Sequence, residues 1–194
     1  MSQVSLVPIL LWVAALACAG IAIWREPRPL PSGFVVDRLL RYLFVFPLGV
    51  QGLWAFVGHV FFAEQAAASI GWANTPFQYE VGFANLGLGL ASLYAAFRGF
   101  EARLAVGIAA ACFLMGAGII HIKDIAETGN LAPGNAGPIM ITDFLTPIAV
   151  LALLFFASEK WRPKSAATLA LEAELDVARK ALREYRQALT DLGK

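Results

Sequence analysis

The sequence predicts an all-α integral membrane bundle of five transmembrane helices, N-terminus outside and C-terminus inside, followed by a cytoplasmic C-terminal helix that is amphipathic or coiled-coil. Three observations carry this reading. Of the 194 residues, 59% are hydrophobic and 15% charged, a balance too apolar for an ordinary soluble domain. The apolar residues fall into five stretches, each near the ~20 residues needed to cross a bilayer. Finally, 14 of the 15 Lys and Arg residues lie in alternate connections and in the C-terminal tail, an asymmetry that the positive-inside rule reads as topology. Two units follow, a transmembrane domain over 1–164 and a cytoplasmic helix over 165–194.

The first span, Val4 to Trp24, ends in small residues like a secretory signal but lacks a positive n-region, so it is read as a permanent helix. Arg25, Arg28, Arg38 and Arg41 then mark an inner connection. The second span is Tyr42 to Phe62. The third, Pro76 to Phe97, has the sharpest start: Thr75 is placed as N-cap, Pro76 at the first helical position and Gln78 at the capping-box position. Arg98 and Arg103 follow it on the inner side. The fourth span is Leu104 to Ile122, and the fifth runs from Pro138 to Phe156 after a Gly- and Pro-rich loop. Gly87, Ala91 and Ala95, and the run from Gly107 to Gly118, offer small faces for close helix approach. Pro47 and Pro147 remove backbone donors, which leaves the Leu43 and Asp143 carbonyls without their usual partners.

After Lys164 the composition turns charged and rich in Ala and Leu, a strong helix-forming mixture. Leu171, Leu175, Ala178, Leu182, Tyr185, Leu189 and Leu192 alternate at spacings of four and three, an a/d seam. It serves self-association or docking to a membrane-complex partner, or else lies on lipid.

Several function classes drop out. A formal net charge of +1 gives no basis for nucleic-acid binding. Cys18 and Cys112 sit in apolar stretches without metal or redox spacing and read as small buried hydrophobes. No Walker motif, nucleotide fingerprint or nucleophile elbow is present.

What remains is a polar group at the basic-poor ends of four spans: His59, Glu64, Glu80, His121, Asp124, Glu127 and Asp143. Ionisable side chains in a membrane helix are expensive, and they usually face the bundle interior with a partner. Lys123 is the single cationic side chain on this side, so either some carboxylates stay protonated or an external cation completes the charge. The sharper expectation is a divalent metal, iron, zinc or manganese, held by His59, Glu80, His121, Asp124 and Asp143. In a membrane metalloenzyme Glu80 and Asp143 would then handle protons as catalytic residues. Glu64, five residues beyond His59, is poorly spaced to join it. The stretch from Ser69 to Glu80 and the loop from Asn130 to Asn135 are placed to form either a lid or simply an aromatic belt and two turns. Two other readings compete: a proton-coupled or cation transporter using the same carboxylates, and a structural or assembly subunit docking through the C-terminal helix.

The segments Ile70-Gly71-Trp72, Pro76-Phe77-Gln78 and Glu80-Val81-Gly82, with His121 and Asn135-Ala136-Gly137, resemble a family of small bacterial polytopic membrane proteins of unknown function. The resemblance covers Leu40 to Phe155. It implies a location in the bacterial inner membrane and assigns no role to any residue.

Overall fold

The computed structural model describes residues 6–158 and 166–192. The chain divides into two units, Met1–Trp161 and Arg162–Lys194. Lys160, Arg162, Lys164 and the expected boundary at 164 and 165 lie outside the described residues.

The first unit is built from helices alone among its described residues. These are α1 (Val7–Arg25), α2 (Phe34–Leu43), a π-helical segment (Phe44–Val50), α3 (Gln51–Phe61), α4 (Ala63–Ile70), α5 (Pro76–Ala96), α6 (Phe100–Thr128) and α7 (Pro138–Ala157). Four helices are long and apolar enough to cross a membrane: Val7–Arg25, the continuous run Phe34–Phe61, Phe100–Thr128 and Pro138–Ala157. The chain is a multi-pass, all-α membrane protein. At 21 residues α5 has the length but not the apolarity, because Gln78, Tyr79, Glu80 and Asn85 dilute it.

Pro47 explains the irregular middle of the second crossing. Its ring removes one amide donor from the helix, and the backbone answers by widening to a seven-residue π-helix that contains it. The Gln51 amide then reaches back to the Phe46 carbonyl. The turn after α3 is sharp, with Phe62 at φ −128° and ψ 40° between α3 and α4. Gly71 and Gly129 close α4 and α6 at positive φ, 84° and 71°, the left-handed cap that glycine adopts without a Cβ clash.

The π-segment and α3 lie directly against α5, backbone to backbone. A Cβ on Gly52 would stand 2.8 Å from the Asn85 carbonyl oxygen and the Gly89 Cα, and one on Gly89 would stand 3.0 Å from the Gly49 carbonyl oxygen. The close approach expected at Gly87 is therefore made one face away; a Cβ on Gly87 meets nothing within 4 Å. Gly107 and Gly118 do serve packing, against Leu154 and the Phe144 ring on α7.

The apolar core gathers Ala15, Leu40, Leu43, Phe44, Leu48, Ala95, Ala96, Ala110, Val150 and Leu154 from α1, α2, the π-segment, α5, α6 and α7. At its arginine-rich end Arg103 is buried. Its guanidinium donates to the Ala95 and Ala96 carbonyls, at 3.3 and 2.8 Å, and to Asp37 Oδ1 at 2.8 Å. A single side chain thus ties the last turn of α5 to α2 and the first turn of α6, and it supplies charge-assisted donors to carbonyls at the end of α5.

The second unit contains α8 (Ala166–Leu192). The coiled-coil expectation is not met. Leu171, Leu175, Leu182 and Tyr185 of the expected seam are all exposed, and Val177, off the seam, is exposed most of all at 71%.

Gly52→Ala is expected to lower stability by about 1–3 kcal/mol, the usual penalty of overpacking, while Gly87→Ala leaves it unchanged. Thermal unfolding in detergent reads both. By the same measurement Arg103→Met is expected to destabilise by about 2–3 kcal/mol, since three acceptors lose a charged donor.

Candidate functional site

The end of the bundle opposite Arg103 is where α3, α6 and the starts of α5 and α7 bring the polar residues. They do not form one cluster. They separate into a buried pair, a loop clasp above it, a second imidazole with its own partner, and several exposed carboxylates.

The buried pair is His121 and Asp143. His121 lies in the outer part of α6 and Asp143 just over a turn into α7, and both side chains are 8% exposed. His121 Nε2 stands 3.8 Å from Asp143 Oδ2, an ion-pair separation longer than a hydrogen bond. The other ring nitrogen is fixed. Asn135, fully buried in the α6–α7 loop, donates its Nδ2–H to the Asn130 carbonyl at 2.8 Å. Its Oδ1 must therefore face His121 Nδ1, 2.6 Å away, and a carbonyl oxygen only accepts. Nδ1 carries the proton, so Nε2 is the nitrogen left to gain or lose one in front of Asp143.

A clasp of two loops covers the pair. Trp72 stacks on the His121 ring, centroids 5.6 Å apart and planes 21° from parallel, and its indole N–H donates to Asp124 Oδ2 at 2.9 Å. Asn130 Nδ2 donates to the same carboxylate oxygen at 2.7 Å and to the Ile70 carbonyl at 2.8 Å. The Thr128 hydroxyl reaches Asp124 Oδ1 at 3.2 Å. The Gly134 amide donates to the Ser69 carbonyl at 2.8 Å, and a Cβ on Gly134 would collide with that carbonyl oxygen at 2.7 Å. The segment after α4 and the segment after α6 are thus joined over His121, as a lid would be.

His59 is elsewhere. Its Nδ1 lies 2.6 Å from Gln78 Oε1, across the α3–α5 contact. Gln78 is buried at 4% exposure, and Thr75 makes no side-chain cap. The capping-box reading of Gln78 therefore gives way to a tertiary one. Asn85 bonds within its own helix, to the Val81 carbonyl at 2.9 Å. Glu64 and Glu80 are exposed, and Glu127 pairs with Lys123 at 3.8 Å on the surface.

This dispersal overturns the metal centre. Among the described residues no group of three or more His, Cys, Asp or Glu side chains could hold a metal ion. Of the five expected ligands, His59 is bonded to Gln78, Glu80 points away, and Asp124 is spent on Trp72, Asn130 and Thr128. His121 and Asp143 are left facing each other as a buried imidazole–carboxylate pair. One nitrogen and one carboxylate make no site for iron, zinc or manganese, so the divalent cofactor and the membrane metalloenzyme built on it are withdrawn.

Residues 5–163 match the model of a family of unknown function, DUF6790, and the chain belongs to that family. The match takes in α1 as well as the later helices and stops short of α8. No curated protein and no solved structure matches the chain.

Asn135→Leu is expected to destabilise the protein by about 1–3 kcal/mol, because it leaves His121 Nδ1 and the Asn130 carbonyl buried without a partner. Trp72→Phe keeps a ring over His121 and loses only the indole bond, for about 1 kcal/mol. Paired denaturation curves of the two variants would show that order.

Proposed function

We propose that this chain is a proton-coupled membrane transporter in which His121 and Asp143 bind and release the proton. The observation that carries the reading is the pinning of His121 Nδ1 by Asn135 while Nε2 faces a buried carboxylate. One proton can sit on Asp143 or on Nε2, giving a neutral pair or an ion pair, and the two states differ only in which group holds it. An intramembrane ionisable group is costly enough that a purely passive role is disfavoured, and proton relays are built from such carboxylate and imidazole groups.

Polarity continues inward from the pair for about one turn. Thr146, fully buried, accepts the Trp12 indole N–H at 3.0 Å. Below it Val150, Leu154 and Phe44 are buried and apolar. The arrangement fits a state in which the proton site is covered by the clasp on one side and closed by an apolar plug on the other. Transport would proceed by opening one and then the other.

Within this reading α5 serves as a fifth span, antiparallel to α3. The N-terminus is then outside and the C-terminus inside, because Arg38, Arg41 and Arg103 share the end opposite the His121 site. A bacterial cytoplasmic membrane is the proposed location. A second reading, an assembly subunit of a membrane complex, is favoured by one observation: α8 exposes Leu171, Val177, Leu182 and Tyr185 beyond the residues that the family covers.

Proton binding is directly measurable. Acid–base titration of the purified protein should register about one proton more for the wild type than for Asp143→Asn. Trp72 emission, isolated as the difference between wild type and Trp72→Phe, should change with pH, and Asp143→Asn should alter that change. Identical titration curves for wild type and Asp143→Asn would rule the proton site out.

A further inference from the structure

The arginine-rich end holds a second charged assembly that the proton site does not use. Three guanidinium groups converge on one carboxylate. Arg103 meets Asp37 Oδ1 at 2.8 Å, and Arg38 and Arg41 meet Oδ2 at 3.1 and 3.7 Å. Asp37 neutralises one of them, so two positive charges remain uncompensated within the assembly. Arg103 is spent on helix-end carbonyls. Arg38 and Arg41 are not: the Nε–H of each is buried and has no hydrogen-bond partner, while their side chains remain 24% and 28% exposed.

Both guanidiniums are also held in place before any ligand arrives. Arg38 lies over the Phe34 ring at 4.7 Å and Arg41 over the Phe97 ring at 5.7 Å, so each presents a fixed planar fork with little rotamer freedom left to lose. Asp37 spaces the two forks by touching both. Preorganised, partly exposed guanidinium pairs with surplus charge match the tetrahedral oxygens of a phosphate monoanion, which accept bidentate N–H donors.

The depth points to the source of that phosphate. Arg38 and Arg41 lie in the first turns of the crossing helix Phe34–Phe61. Tyr94 and Phe97 at the end of α5 and Trp24 at the end of α1 are exposed at 59%, 65% and 77%, as aromatic side chains are at the headgroup level. Arg98 lies over the Tyr94 ring at 4.5 Å, adding a third cation beside the same belt. Basic pockets between membrane helices take anionic headgroups by this chemistry.

We propose that Arg38 and Arg41 form a binding site for the phosphate of an anionic phospholipid headgroup, positioned by Asp37 and the rings of Phe34 and Phe97. The site is independent of the proton pair at the other end.

The test is native mass spectrometry of the full-length protein in detergent, titrated with phosphatidylglycerol, phosphatidylcholine or inorganic phosphate. Wild type should retain phosphatidylglycerol in preference to phosphatidylcholine, and Arg38→Gln/Arg41→Gln should lose that affinity by about tenfold or more. Equal binding of phosphatidylglycerol by wild type and variant would overturn the site. So would equal retention of the two lipids by the wild type, a result that needs no variant to fold. Displacement of phosphatidylglycerol by millimolar inorganic phosphate would keep the phosphate site and overturn the lipid as its occupant.

Discussion

A charge buried in an apolar bundle has to bring its partner with it, and the two ends of this molecule are organised around that constraint. In a medium that cannot hydrogen-bond, an ionisable side chain is tolerated only where helices place an opposite charge or a donor beside it. At one end Arg103 is satisfied by Asp37 and by two carbonyls at the end of α5. At the other, His121 is satisfied by Asn135 and Asp143. Each set draws its members from different helices, so the helices cannot slide or rotate past one another without stranding a polar group. Between the two ends the packing is made by backbone contact at Gly49, Gly52 and Gly89 and by the apolar core.

The two ends use their charges differently. Around Arg103 the partners are a carboxylate and backbone carbonyls held in place by the helices, and the result is a clamp with surplus positive charge at its rim. Around His121 the partners include one group fixed as an acceptor, Asn135, and one that can be charged or neutral, Asp143. The first pins the ring, and the second leaves its far nitrogen a choice. Placing Trp72, Asn130 and Asp124 over that choice couples it to the loops, because a change in the charge of His121 is felt by the indole stacked on it. A structural staple and a buried imidazole–carboxylate pair therefore follow from one physical rule applied to residues of different chemistry.

Much of this was legible in the amino-acid order. The apolar stretches located the long helices but not all their ends, since the second crossing begins at Phe34 rather than Tyr42 and α6 runs on to Thr128; Pro76 and Pro138 marked two helix starts, and the expense of Asp143 inside a span singled it out. The loops from Ser69 and from Asn130 were placed over the polar end. What could not be read was rotation. These helices are apolar nearly all round, so no amphipathic stripe says which side faces inward, and residues at similar depth were gathered into a metal site that their directions do not support. Gln78 and Asn135 were missed for a related reason. A Gln three residues after Thr75 satisfies a local capping rule, and an Asn between glycines satisfies a turn, so neither carries a sign of its long-range partner. Asp37 and Arg103 were hidden in the same way, since the positive-inside rule counts arginines without asking what they touch.

In the proposed mechanism Asn135 locks His121 in one tautomer, and Nε2 is the nitrogen that exchanges a proton with Asp143. The chain has only two histidines, so 15N NMR of the imidazole-labelled protein resolves them with a His59→Gln reference. The account predicts that His121 Nδ1 stays protonated across the titration while Nε2 changes state, and that Asp143→Asn alters the Nε2 transition and leaves Nδ1 as it was. A His121 found with its neutral-state proton on Nε2, or one whose Nε2 is indifferent to Asp143→Asn, would contradict it.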